Sequence, residues 1–262
     1  MKFTLRKTRL LCLVAVLAAL WHARLNTADA ADTPALQTFD SNGVKIAYVV
    51  QGQGEPVILI HGWLASAGVN WVLPGTFALL AKDFQVIALD VRGHGLSGKP
   101  TQVEAYGPEL VEDIVRLLDH LKIEKAHLVG YSMGGIIALN FVAKHPDRVL
   151  SATLGGMGWL REESLEQKFF AMSRTNGQPL ALCFRSLATL ALTEEQLKSI
   201  RVPVQILFGD GDFLKKSYVE PVERVRKDWP VIDIRDANHI TCIFKSQFKE
   251  EIQKWLVANR RK

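Results

Sequence analysis

His127-Leu128-Val129-Gly130-Tyr131-Ser132-Met133-Gly134-Gly135 is the stretch on which the reading of this chain turns. His127–Val129 is a short run of strand type, and Gly135 to Lys144 carries a helical pattern closed by Pro146. Between them stands one serine, with glycine two residues before it and two after. A sharp strand-to-helix turn forces the residue at its apex into a strained backbone conformation and leaves no room for side chains two positions away, a demand that Gly130 and Gly134 meet. The N-terminus of the following helix favours negative charge at the exposed oxygen. Ser132 is therefore the candidate nucleophile.

Working outward, apolar runs of strand length recur at Val57–Ile60, Val86–Leu89, Val149–Leu154, Val204–Phe208 and Val231–Ile234, with helical patterns between several of them. Such alternation predicts a mostly parallel sheet covered by helices, an α/β fold. Ahead of it, Leu36–Phe39 and Lys45–Val50 flank Ser41-Asn42-Gly43, whose Asn-Gly pair suits a tight hairpin, so the sheet begins with an antiparallel edge. Leu110, Ile114, Leu117, Leu118 and Leu121 share one helical face, as do Phe244, Phe248, Ile252, Trp255 and Leu256. Residues 155–203 carry no strand pattern. Leu165, Phe169 and Met172, then Leu180, Phe184, Leu187 and Ala191, predict about two amphipathic helices there, read as a short lid inserted into one domain spanning 31–262.

A serine nucleophile needs a base, an acid to orient that base, and donors for the developing oxyanion. His61-Gly62-Trp63 follows the strand Val57–Ile60 and leaves the sheet on the same side as Ser132. The backbone N–H groups of Trp63 and Met133 are thus the candidate oxyanion donors, and His61 braces their loop. Of the six histidines beyond residue 30, His239 alone follows a final strand through a short polar turn, Arg235-Asp236-Ala237-Asn238, which makes it the candidate base. The acid belongs after the preceding strand, where Gly209-Asp210-Gly211-Asp212 offers two carboxylates. Asp212 can turn back toward the His loop, while Asp210 suits a turn-capping role.

Taken in order, Ile60-His61-Gly62-Trp63, Asp90-Val91-Arg92-Gly93-His94-Gly95-Leu96-Ser97, Gly130-Tyr131-Ser132-Met133-Gly134-Gly135, Gly209-Asp210-Gly211-Asp212 and Asn238-His239 resemble the successive motifs of the α/β-hydrolase superfamily. The resemblance runs from about residue 36 onward. It implies an eight-stranded sheet with helices on both faces, a triad of Ser132, Asp212 and His239, and no cofactor. It is similar in particular to the branch of aryl esterases, cofactor-free haloperoxidase-like enzymes and carbon–carbon bond hydrolases. Ser132 stands where dehalogenases and epoxide hydrolases of the superfamily carry Asp. The short lid departs from the family pattern and leaves the pocket's shape open.

Residues 1–30 read as a secretory signal, with Lys2, Arg6, Lys7 and Arg9 leading, an uncharged apolar run from Leu10 to Trp21, and the small-x-small site Ala28-Asp29-Ala30. Cleavage after Ala30 is expected, giving a periplasmic or secreted protein with no stable membrane anchor. The whole chain carries 32 basic and 27 acidic residues. Five of those basic residues and one acidic residue lie in 1–30, so what remains is nearly neutral and offers no footprint for nucleic acid. Cys183 and Cys242 would then sit where a disulfide is chemically permitted, and their spacing leaves pairing open. Gly93 to Lys99 imitates a phosphate-binding loop, but Pro100 stands where the magnesium-binding hydroxyl belongs; no metal-ligand spacing is present either.

The expected reaction is acyl transfer to Ser132 from a small-molecule ester or related carbonyl, with water releasing the acyl group. A perhydrolase or carbon–carbon bond hydrolase would use the same triad, and a ligand-binding member would keep the fold without turnover. Phe169, Met172, Phe184 and Leu187 are the candidates for an apolar ceiling over the substrate, with Trp63 narrowing the acyl side.

Overall fold

The computed structural model describes residues 34–261; the expected signal segment lies outside the described residues. Eight strands form one sheet: β1 (Leu36–Ser41), β2 (Val44–Gln51), β3 (Pro56–Ile60), β4 (Gln85–Leu89), β5 (Ala126–Tyr131), β6 (Val149–Gly155), β7 (Val204–Gly209) and β8 (Val231–Ile234). Their spatial order is β1-β2-β4-β3-β5-β6-β7-β8. β1 pairs antiparallel with β2 and β2 antiparallel with β4, and every other pairing is parallel. The opening hairpin turns at Asn42 and Gly43, both with positive φ (55° and 79°), as its Asn-Gly pair requires. This is the fold expected above: mostly parallel, eight-stranded, α/β.

The helices are α1 (Thr76–Leu80), α2 (Glu109–His120), α3 (Met133–Lys144), α4 (Leu165–Met172), α5 (Pro179–Ser186), α6 (Glu194–Ser199), α7 (Lys215–Tyr218), α8 (Glu220–Val225) and α9 (Ser246–Ala258). Strand side chains alternate between two cores. Ile58, Ile60, Ile87, Leu89 and Leu128 face α2 and α3, joined by Leu110, Ile114, Leu117, Ile137 and Phe141. Val57, Leu59, Val86, Ala88 and Val129 face the other way, against Phe77 and Leu80 of α1 and Phe248, Ile252 and Leu256 of α9. Burying each such side chain stabilises the fold by about 1.5–3 kcal/mol, which explains why near-continuous apolar runs mark the central strands. Phe244 departs from the expected face: it lies in a short 3-10 turn ahead of α9 and is exposed.

The chain runs from β3 outward to β4 and then returns to the other side of β3 for β5. At such a reversal the loops leaving two neighbouring parallel strands diverge and open a crevice beyond their C-terminal ends. The loop after β3 and the turn after β5 both open onto it. Between β6 and β7 the chain builds α4, α5, a 3-10 turn at Leu187–Leu190 and α6. Among the described residues, no helix is long and apolar enough to cross a membrane.

The loop that imitates a phosphate-binding motif wraps a carboxylate instead. Asp90 Oδ1 accepts the Ala67 N–H at 2.8 Å and Oδ2 accepts the Leu96 N–H at 2.7 Å. A Cβ on Gly95 would stand 2.0 Å from that carboxylate, so glycine is required for the loop to close around it. Next to it, Arg92 is buried against Asp113 of α2, with Nε to Oδ2 at 2.7 Å. Ser41 Oγ donates to the same Asp113 at 2.5 Å. The charged pair ties β1, α2 and the loop together, each member holding the other's cost of burial in check.

Candidate active site

Ser132 stands at the apex between β5 and α3 with φ 53° and ψ −115°, a conformation that costs on the order of 1–3 kcal/mol for a residue with a side chain. The sterics anticipated for its two flanking glycines are severe. A Cβ on Gly130 would lie 2.1 Å from the Gly134 carbonyl oxygen, and one on Gly134 would lie 2.1 Å from that of Ile60. Close packing of α3 against β3 and β5 therefore holds the turn, and the turn holds the serine half-exposed above the sheet.

His239 reaches the serine from the loop after β8, with Nε2 2.9 Å from Ser132 Oγ. Its Nδ1 lies 2.8 Å from Asp212 Oδ2. An ionised carboxylate only accepts hydrogen bonds, so Nδ1 carries the proton and the Nε2 lone pair is left for the serine hydroxyl. Asp212 is buried after β7, and its Oδ1 accepts the Leu214 N–H at 3.0 Å, which fixes the carboxylate's rotation. The structure thus brings Ser132, His239 and Asp212 into one hydrogen-bonded line from three loops at the same edge of the sheet.

Asp210 does something else. Its two oxygens accept the N–H groups of Ala237 (3.1 Å) and Asp236 (3.0 Å), so it caps the loop that carries His239. Those backbone donors hold its carboxyl below the usual carboxylate range.

The two expected oxyanion donors have their N–H groups free: neither Trp63 nor Met133 donates its backbone N–H to any acceptor among the described residues. Gly62 lies against the nucleophile, and a Cβ there would be 3.3 Å from Ser132 Cβ. Behind the loop, His61 is fully buried, with Nδ1 2.8 Å from the Gly62 carbonyl and Nε2 accepting the Val91 N–H at 3.0 Å. Burial pushes its pKa down to about 4, so the ring braces the loop as a neutral imidazole.

The ceiling differs from the expectation. Phe169 and Met172, read as inward-leaning, are 64% and 81% exposed on α4, while Leu187 is 1% exposed and packs in the core beneath the lid. The element over the site is α5. Phe184 packs on the Trp63 ring at 4.5 Å between centroids, Cys183 Sγ meets Met133 Sδ at 3.8 Å, and Trp63 Nε1 donates to the Leu180 carbonyl at 3.0 Å. α5 therefore lies across both candidate oxyanion donors. Phe184 meets the expectation while Phe169 and Met172 do not, because an apolar stripe at helical spacing does not say which of two consecutive helices turns it inward. Cys183 and Cys242 are both free, buried thiols, and burial pushes each pKa up to about 12.

Two residues to which the sequence assigns no role complete the surroundings. Tyr131 donates its hydroxyl to the His239 carbonyl at 2.7 Å, and Asn70 Oδ1 accepts the Gly62 N–H at 2.8 Å. Tyr131 lay in plain view inside the nucleophile motif. Asn70 had only one signal, a lone amide beside Trp71 in an otherwise apolar run.

The family model for the α/β hydrolase fold matches residues 55–201. The chain belongs to the α/β-hydrolase fold family. Among curated proteins it is 36% identical over 202 residues to a dihydrolipoyllysine-residue acetyltransferase component of the acetoin cleaving system from Pseudomonas putida, covering 71% of this chain and 54% of that protein. It is 39% identical over 116 residues to 2-hydroxymuconate semialdehyde hydrolase from a Pseudomonas species, covering 44% of this chain and 40% of that protein. The chain thus spans about half or less of the length of these curated relatives. A solved membrane phospholipase A, described as a bacterial virulence factor, superposes with a TM-score of 0.72 at 23% identity over 100% of both chains. A meta-cleavage product hydrolase variant superposes with a TM-score of 0.69 at 22% identity, over 85% of this chain and 98% of that one. At such identities the α/β-hydrolase structures speak for the fold alone.

Proposed function

We propose that this α/β hydrolase is an exported serine hydrolase that cleaves a carboxylic ester or related acyl substrate through an acyl-enzyme on Ser132. The observation that carries the reading is the continuous line Ser132 Oγ, His239 Nε2, His239 Nδ1, Asp212 Oδ2, with links of 2.9 and 2.8 Å. In the first half-reaction His239 Nε2 takes the hydroxyl proton as Ser132 Oγ attacks the carbonyl carbon. The carbonyl electrons move onto oxygen, which settles between the N–H groups of Trp63 and Met133. As the tetrahedral centre collapses, the alcohol departs with the proton from His239. Water repeats the sequence on the acyl-enzyme and frees the acid. Asp212 keeps the imidazole in the productive tautomer and stabilises its charged form. Export rests on the basic start, apolar run and Ala28-Asp29-Ala30 of the sequence.

Carbon–carbon bond hydrolysis is the second reading, favoured by the 39% identity to 2-hydroxymuconate semialdehyde hydrolase. A panel of p-nitrophenyl esters alongside a hydrolysable diketone separates the two. The ester reading expects a burst of p-nitrophenol followed by steady turnover, with the diketone untouched; rapid diketone cleavage with no ester turnover would overturn it.

A further inference from the structure

Asn70 has more to do than brace a loop. It lies within Gly68–Val72, a π-helical turn of the kind that often sits beside functional sites, and it is 9% exposed. Only its carbonyl oxygen can accept the Gly62 N–H, so the 2.8 Å bond between them settles which way the carboxamide faces. That leaves the amide nitrogen, which donates to no acceptor among the described residues. A methyl group placed on Gly62 would touch both Asn70 Oδ1 (3.4 Å) and Ser132 Cβ (3.3 Å), so the carboxamide and the nucleophile flank the same glycine. That nitrogen is not sealed from solvent, so an incoming acceptor can reach it.

We infer that Asn70 is the third donor of the oxyanion site. Its oxygen anchors Gly62, which sets the course of the Trp63 N–H, and its amide nitrogen donates to the oxygen of the acyl substrate as charge develops there. The inference rests on the serine hydrolase reading. It makes Asn70 a catalytic residue whose own orientation is set by a backbone bond made before substrate arrives, which is the form of preorganisation that electrostatic catalysis exploits.

Two variants test it, with wild type as the control for the underlying reading. Asn70→Ala removes both functions. Asn70→Asp keeps an acceptor for Gly62, and so the loop's course, but sets a carboxylate where an oxyanion must form. For p-nitrophenyl acetate, kcat should fall by about tenfold or more in both while KM stays within about threefold, since a donor to the oxyanion acts in the transition state. Affinity for a trifluoromethyl ketone, whose adduct carries the oxyanion, should fall in parallel, whereas a non-reacting amide analogue should bind as to wild type. Thermal melting identifies which variants are folded, and Asn70→Asp carries the test if Asn70→Ala is not. Wild-type kcat in either folded variant, or equal losses of ketone and amide affinity, would overturn the inference. Absence of ester turnover in the wild type would count against the serine hydrolase reading instead.

Discussion

The hydroxyl of Tyr131, the residue before the nucleophile, donates to the backbone carbonyl of His239 at 2.7 Å. The loop that brings the histidine is thereby fastened to the strand that brings the serine. The two rings lie 5.8 Å apart, and a Cβ on Gly156 would stand 3.1 Å from Tyr131 Cζ and 3.3 Å from His239 Cε1. Burial pushes the phenol pKa up, so it remains a donor at all working pH. Tyr131→Phe keeps the ring and removes the bond. It should lower stability by about 1 kcal/mol and kcat by about threefold to tenfold, with KM little changed, because the loosened imidazole spends less time aligned with Ser132. Urea unfolding and ester kinetics on one preparation check both, and unaltered kcat in the folded variant would show that Asp212 alone positions the ring.

The two carboxylates after β7 should separate by function. Asp212→Asn should reduce kcat on the order of 10²-fold or more by favouring the wrong imidazole tautomer. Asp210→Asn keeps one acceptor oxygen for the Ala237 and Asp236 N–H groups and should reduce kcat by far less. Steady-state kinetics on the pair decides it, and the reverse ranking would place the acid at Asp210.

Gly134→Ala should be more damaging to folding than most core truncations, since its Cβ would meet the Ile60 carbonyl at 2.1 Å, a rigid strand atom. A loss of more than about 3 kcal/mol, beyond ordinary overpacking, or failure to accumulate soluble protein is the expected outcome. A native denaturation midpoint would show that α3 can draw away from β3.

Stability should fall with acid before most carboxylates titrate. His61 and His94 are buried with rings 5.2 Å apart, and burial lowers their pKa values to about 4 and about 3. In the unfolded chain both bind protons near pH 6.5, so this contribution is fully present above 6.5 and is lost as pH drops toward 4. The slope is at most about 1.4 kcal/mol per pH unit for each group. Urea midpoints at pH 7.5 and 5 should therefore differ in wild type and differ less in a folded His94→Gln variant. Equal differences in the two proteins would show that His94 does not set the acid sensitivity.

Much of this was legible in the sequence because the demands are local. A serine between two glycines at a strand-to-helix turn, and a histidine in the loop after the last strand, are set by chain geometry within a few residues. So was the alternation that predicted the parallel sheet. What escaped reading depends on how distant segments meet. Leu187 and Phe169 both sit on apolar stripes, yet one is core and the other faces solvent, because tertiary packing decides which helix rests on Trp63. Asp210 and Asp212 look alike in sequence and differ only through the partner loop each faces. Asn70 becomes meaningful once Gly62 is seen to donate to it.

Covalent capture is the sharpest test of Ser132 as a nucleophile activated by His239. Intact-mass and peptide analysis after exposure to a fluorophosphonate should find one adduct per chain, on the peptide containing Ser132. Ser132→Ala, folded to the same melting temperature, should take up none and lose at least about 10³-fold in kcat toward esters. An adduct elsewhere, or a folded Ser132→Ala protein that still reacts and turns over ester as wild type does, would show that Ser132 is not the nucleophile.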